Sequence, residues 1–161
     1  MDGSDFYGDS WSILLIHYRG VGIRLVPWRQ LNYVARVEHF EQRVAEEVGA
    51  AGLDAMVAGF YRRVRGDDLI GPMYPDDDWE GSEERLRLFL RFRLLGEQEY
   101  TLRRGHPRLR GRHMPFAIGE AQRDRWVQIM GESMDEVGVA GQVREDLDAF
   151  FFQVADFMRN R

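Results

Sequence analysis

The sequence predicts an all-α domain preceded by an N-terminal extension. Three observations predict it. Apolar residues recur at spacings of three and four through five long stretches, which is the period of helices with one buried face. Glycine and proline punctuate the gaps between those stretches, where helices stop. The length of 161 residues, with 44% hydrophobic and 30% charged, suits one globular domain with a core of its own.

Residues 1 to 35 read as the extension and 36 to 161 as the domain. In the extension, Trp11 to Ile16 is apolar and Val21 to Val26 alternates weakly, with Gly20 between them. That pattern permits a small hairpin; a flexible leader fits equally. No chemistry is assigned to this segment. His17 and His39 stand alone and are expected to face solvent. Met1 to Asp9 is acidic and lacks the basic start of a secretory signal, and no apolar run reaches the length of a membrane span. The expected location is cytoplasmic.

Arg36 to Val48 spaces Val37, Phe40, Val44 and Val48 as a helix, and Gly49 to Gly52 is expected to break it. Leu53 to Val64 is a second helix, with Leu53, Met56, Val57, Phe60, Tyr61 and Val64 on its buried side. Gly66 to Asp78 is a connector marked by Gly71-Pro72 and Tyr74-Pro75. Its Asp76-Asp77-Asp78 run lacks the alternation and central glycine of a calcium loop and favours the dipole of the helix that follows. Trp79 to Leu95 carries an inward stripe of Leu86, Phe89, Leu90, Arg93 and Leu94. Glu97 to Arg104 is a short helical piece with Tyr100 and Leu102. Gly119 to Val137 repeats Trp126, Ile129, Met130, Met134 and Val137 at helical spacing. After a turn at Gly138 to Gly141, Val143 to Met158 contributes Val143, Leu147, Phe150, Phe151, Val154 and Phe157 to the core.

The stretch from Arg104 to Phe116 sets two histidines and two prolines among arginines. Pro107 disfavours helix at His106, and Pro115 does the same to Met114. At most about two turns of helix lie between them, ending at His113. Taken alone, His113 has two readings. It is an imidazole favoured by the negative end of the helix dipole, or a neutral axial ligand of a haem iron with nearby arginines on the propionates. Spacing leaves both open. Tyr61 on a buried face usually bonds its hydroxyl to a backbone carbonyl. Tyr74 reads as a surface aromatic, Trp126 as core, and Arg85 as a cation beside Glu83 or Glu84.

The wording of the chain goes further. Arg104 to Phe116, with Phe60-Tyr61, Met73-Tyr74-Pro75, Glu83 to Leu90 and Arg123-Asp124-Arg125-Trp126, resembles the group II truncated haemoglobins. The motifs follow that family's order and separations from about residue 40 to residue 161. The resemblance implies a truncated globin fold, a two-over-two helical sandwich around haem b. It implies a pentacoordinate iron with His113 as proximal ligand, whose Nδ1 proton should go to a backbone carbonyl. It implies Tyr61, Tyr74 and Trp126 around the sixth position as donors to O2, with CO and NO as further ligands. The implied haem contacts are Phe60, Ser82, Arg85, Leu86, Phe89, Tyr100, His106, Arg112, Phe116 and Met130. Among them Arg85 meets a propionate, and Ser82 stands where many globins carry a histidine. The chain departs from the family in having Gly49-Ala50 and Leu94-Leu95 where Gly-Gly is usual, and Gly111 where an apolar residue is usual.

Composition narrows the chemistry. There is no cysteine, which excludes disulfides, thiolate metal sites and haem attachment through Cys-x-x-Cys-His. The net charge of -5 argues against nucleic acid as a partner. Every cation other than histidine is arginine, which pairs with carboxylates, propionates included, better than lysine does; a GC-rich genome gives the same bias. Each charge-assisted bond to bound O2 is worth roughly 1.5–3 kcal/mol, so two or three donors make release slow and delivery a poor role. The expected function is a haem protein for diatomic ligands. The alternatives are a haem redox enzyme, peroxidase or nitric-oxide dioxygenase, and a haem-free helical interaction protein. Peroxide, an electron donor and a second copy in a homodimer complete the expected partners.

Overall fold

The computed structural model describes residues 16–18, 21–24 and 39–161. The chain divides into two units, Met1–His39 and Phe40–Arg161. In the first, β1 (Ile16–Tyr18) and β2 (Val21–Arg24) pair antiparallel, Ile16 opposite Arg24 and Tyr18 opposite Val21. This is a hairpin of the kind the apolar runs around Gly20 permit. The remainder of those runs lies outside the described residues.

The second unit is helical. Helix α1 covers 39–47 among the described residues, buries Val44 and packs Phe40 on the core; His39 is exposed, as expected. The break after it is shorter than the sequence suggests. Helix α2 starts at Gly49, not Leu53, and runs to Val64. Gly49 alone turns the chain, at φ 64°, a conformation that only glycine adopts readily. The following Ala50-Ala51 are good helix formers and extend the helix backwards. Its inner face is the expected one: Leu53, Met56, Val57, Phe60, Tyr61 and Val64 are all buried.

The connector holds a single 3-10 turn at Gly71–Met73. It crosses close over α2, because a Cβ at Gly71 would come within 2.8 Å of the Val64 carbonyl oxygen. Asp67 shapes it. Its Oδ1 accepts the Leu69 and Ile70 N–H groups at 3.1 and 2.9 Å, and its Oδ2 accepts Arg125 Nε at 2.5 Å. Burial opposes the charge on Asp67, but the Ile70 N–H and the Arg125 side chain outweigh it and hold the carboxyl below its ordinary range.

Helix α3 spans Trp79–Leu95 with the expected bounds. Its buried set is Ser82, Leu88, Phe89, Leu90 and Leu94. Arg93 is not inward as expected. It lies at the rim, donating to Glu41 at 2.8 Å, because a charged head keeps to solvent while its stem covers apolar surface. Leu88 takes an inward place instead. Helices α4 (Glu99–Arg104), α5 (Leu109–His113), α6 (Glu120–Glu136) and α7 (Gly141–Met158) follow. Helix α2 packs on α3 and on α6, α6 on α7, α4 on α3, and α5 on α7. Two helix pairs joined through α2 and α6 form the two-over-two sandwich that the resemblance implies. Phe157 is a correction: it is 59% exposed, because α7 turns its last two aromatic positions, Phe152 and Phe157, toward arginine guanidinium groups at the surface. Among the described residues no helix is long and apolar enough to cross a membrane.

Candidate functional site

Every helix from α2 to α7 contributes to one cavity of about 520 Å³, within the range of about 300–1,000 Å³ usual for bound small molecules and cofactors. One wall is His113. Its ring is half-buried at the end of α5, and Nδ1 lies 2.7 Å from the Leu109 carbonyl oxygen. A carbonyl only accepts, so the proton sits on Nδ1 and Nε2 keeps its lone pair for a metal. The short helix is held from behind. Asn160, after α7, donates to the His113 and Phe116 carbonyls at 3.1 and 2.9 Å and accepts the Ile118 N–H at 3.2 Å.

Tyr61, Tyr74 and Trp126 also line the cavity. Tyr61 comes from the buried face of α2, Tyr74 from the connector, and Trp126 from the first half of α6. The rings of Tyr61 and Tyr74 meet edge to face at 5.6 Å, and Phe60 bridges Tyr61 at 5.4 Å to Trp126 at 5.1 Å. The Tyr61 hydroxyl donates to the Ser82 backbone carbonyl at 2.8 Å, the bond that a buried tyrosine usually makes. Burial drives its pKa well above the ordinary phenol range, with Tyr74 adding to the effect. Burial pushes Tyr74 up to about 12, against a smaller opposing contribution from a hydrogen bond with the Trp126 side chain. Both phenols are therefore neutral donors at neutral pH.

Ser82 joins two of the site's side chains. It is buried, its carbonyl takes the Tyr61 proton, and its hydroxyl accepts Arg85 Nη2 at 2.6 Å. Arg85 also pairs with Asp78 at 2.6 Å, rather than with Glu83 or Glu84, which bind Arg87 and Arg103. Arg85 and Arg112 both edge the cavity. Arg112 Nε donates to the Pro107 carbonyl at 2.9 Å, and the group has no carboxylate partner among the described residues.

Most of the expected haem contacts meet here: Ser82, Arg85, Leu86, Phe89, Tyr100, Arg112 and Phe116 all line the cavity. Three do not. Phe60 and Met130 are fully buried in the core one layer behind, since helical period tells which face is inward but not whether it meets side chains or a cavity. His106 is exposed, its Nδ1 accepting the Arg108 N–H at 3.2 Å, a local bond that keeps the ring on its own loop. Several lining residues were not singled out from sequence as site residues, among them Leu109, Ile118, Gln122, Arg123, Val154 and Met158. A signal existed for two groups. Gln122 and Arg123 lie one turn before Trp126, and Phe151, Val154 and Met158 form a stripe at spacings of three and four on α7.

Among the described residues no group of three or more His, Asp or Glu side chains is placed to hold a bare metal ion. A lone imidazole over an apolar cavity suits instead a metal that brings its other equatorial ligands with it. The donor set fits an iron porphyrin: one basic nitrogen on one wall, neutral hydrogen-bond donors among the other lining groups, and guanidinium groups at the edge for carboxylates.

Comparison with known proteins agrees. The model of the bacterial-like globin family matches residues 43–160. Over 102 residues the chain is 39% identical to Group 2 truncated hemoglobin YjbI of Bacillus subtilis, covering 63% of this chain and 76% of that protein. Its fold is similar to the hemoglobin of Chloroflexus aurantiacus, with TM-score 0.69 and 39% identity over 73% of this chain and 98% of that one. It is also similar to the truncated oxygen-avid haemoglobin of Bacillus subtilis, with TM-score 0.68 and 36% identity over 72% and 98% of the two chains.

Proposed function

The chain belongs to the bacterial-like globin family, whose members use haem to bind small gaseous ligands, and from that premise we propose that it is a haem-b protein with His113 as the only protein ligand to iron. The haem, when bound, supplies the iron that takes O2 and, in competition, CO or NO. The observation that carries the reading is the Nδ1 contact of His113 to the Leu109 carbonyl, which leaves Nε2 basic at the cavity wall. That bond also makes the imidazole a stronger electron donor.

The chain's own residues then divide the work. Leu86, Phe89, Leu90 and Val154 give the cavity an apolar lining that excludes water. Arg85 and Arg112, which line the cavity, would hold the haem's propionate carboxylates. Tyr61, Tyr74 and Trp126 are the donors that retain the diatomic ligand, and tight retention is the property named for the oxygen-avid relative. Tyr61 must share its proton with the Ser82 carbonyl to do so. The protein acts in the cytoplasm, with residues 36–161 as the globin domain.

A second reading, a redox enzyme turning over peroxide or nitric oxide, is favoured by the oxidisable rings at the site. Tyr74 stacks on Trp79 at 5.6 Å and meets Tyr61 at the same distance. Turnover with either substrate separates the readings. The first test is an absorption spectrum of the purified protein, reduced and then with CO. A Soret band that shifts on CO addition is expected. A colourless protein that does not take up added haemin would refute the reading and leave a helical interaction protein.

A further inference from the structure

Ion pairs cover most of this surface. Within residues 39–161 each arginine has a carboxylate partner there except Arg104, Arg108, Arg110, Arg112 and Arg161. The first four fall in one short segment. No Asp or Glu occurs from Tyr100 to Gly119, in a chain whose net charge is -5. Arg108, Arg110 and Arg112 are exposed and Arg104 is half-exposed. Arg161 joins the same face, since its N–H bonds the Ile118 carbonyl at 3.2 Å.

Exposed apolar side chains gather on that face too. Met114 is 50% exposed, Phe116 39% and Phe157 59%. Contacts join Phe157 and Phe116 to the arginine segment. Arg110 lies 5.4 Å over the Phe157 ring and donates to its carbonyl at 2.5 Å. Asn160 ties the Phe116 and His113 carbonyls together. Arginine with aromatic residues and methionine is the composition of a protein contact surface. Unpaired like charges repel one another, so folding alone gives no reason to collect them. They do create a field of one sign, which steers an oppositely charged partner. A long phosphate backbone is a poorer match, because it would run past the patch onto the acidic remainder of the chain, whereas a small acidic protein covers the patch alone.

The position matters. Arg112, His113 and Phe116 belong both to this face and to the cavity wall, so a molecule seated here meets the edge of the cavity. We propose that this face docks a small acidic flavoprotein that reduces the haem iron. The proposal rests on the haem reading given above. One electron leaves the reduced flavin, the iron goes from ferric to ferrous, and no atom is exchanged. The contact is small and transient, as redox encounters are.

The test uses reduced acidic flavodoxin as the probe and the haem-loaded, full-length chain. The variant combines Arg104→Glu, Arg108→Glu and Arg110→Glu, none of which lines the cavity. In stopped flow, reduction of the wild-type protein should slow as salt is added. The variant should be slower by about tenfold or more at low ionic strength and equal to wild type at high salt. CO association involves no charged partner and should be unchanged. A second readout needs no haem: addition of oxidised flavodoxin should shift the backbone amides between Arg108 and Met114 in wild type and not in the variant. Equal, salt-independent rates, or amide shifts confined to another face, would overturn the proposal. Binding to phosphatidylserine vesicles or duplex DNA without any response to flavodoxin would overturn it as well, by giving the face a different occupant. A protein without a Soret band defeats the haem reading. The amide shifts still decide the docking surface, their presence supporting it and their absence overturning it.

Discussion

Removing the Tyr61 hydroxyl probes the point at which packing and ligand retention meet. In Tyr61→Phe the ring stays, so the contacts with Phe60 and Tyr74 survive and no cavity opens. What goes is the 2.8 Å bond to the Ser82 carbonyl. That carbonyl lies inside α3 and keeps its intrahelical partner, so the cost is about 1 kcal/mol, the net worth of one neutral hydrogen bond. For a domain of this size that lowers the melting temperature by about 3–5 °C. The effect on O2 is a difference of two bonds. A charge-assisted bond to the ligand is worth roughly 1.5–3 kcal/mol, and the bond to Ser82 that it replaces roughly 0.5–1.5. The net loss is about 1 kcal/mol, or roughly a fivefold faster release. The assays are thermal unfolding and stopped-flow displacement of O2 by CO. An unchanged melting temperature would show that the hydroxyl is not bonded to Ser82. A release rate faster by a hundredfold would show that Tyr61 does not share its proton, and the reasoning would fail.

Other consequences follow from the same geometry. Trp126→Phe should speed O2 release, and unchanged release in both this variant and Tyr61→Phe would discredit the donor assignment. Asp67→Ala removes the acceptor of two backbone N–H groups and of Arg125. It should cost about 2–3 kcal/mol, seen as a lower urea midpoint, and a change below half that would mean the connector is held otherwise. Tyr74 has its pKa raised by burial from 10.0 to about 12, so its folded form keeps a proton that its unfolded form has lost. Its contribution to stability is complete below pH 10.0 and is lost between there and about 12. Phenolate absorbance should therefore lag in the folded protein and jump on unfolding. Equal absorbance in both states would contradict the buried phenol.

The carbonyl partner of His113 was expected only from the family resemblance, whereas the bounds of α3 and the inner face of α2 were legible from residue types. Period and turn residues determine those two locally. The start of α2 was not, because a glycine cluster reads as a break when only Gly49 needs a positive φ. The error over Phe157 has another cause. At its last turn the α7 stripe takes Met158 inward and leaves Phe157 outside, where an arginine from α5 lies over its ring. Distant polar links were invisible in principle. Asp67 to Arg125 and Asn160 to the His113 segment depend on how helices meet, and no local spacing encodes that. Phe60 and Met130 show the same limit from the apolar side: both are inward, yet they face side chains and not the cavity.

The account turns on the imidazole of His113 as the axial ligand, and haemin titration of His113→Ala against wild type tests it most directly. Wild type should take up haem and give a five-coordinate ferrous spectrum, while His113→Ala should retain little haem after purification. Full haem retention in the variant, with an unchanged five-coordinate spectrum, would contradict the assignment.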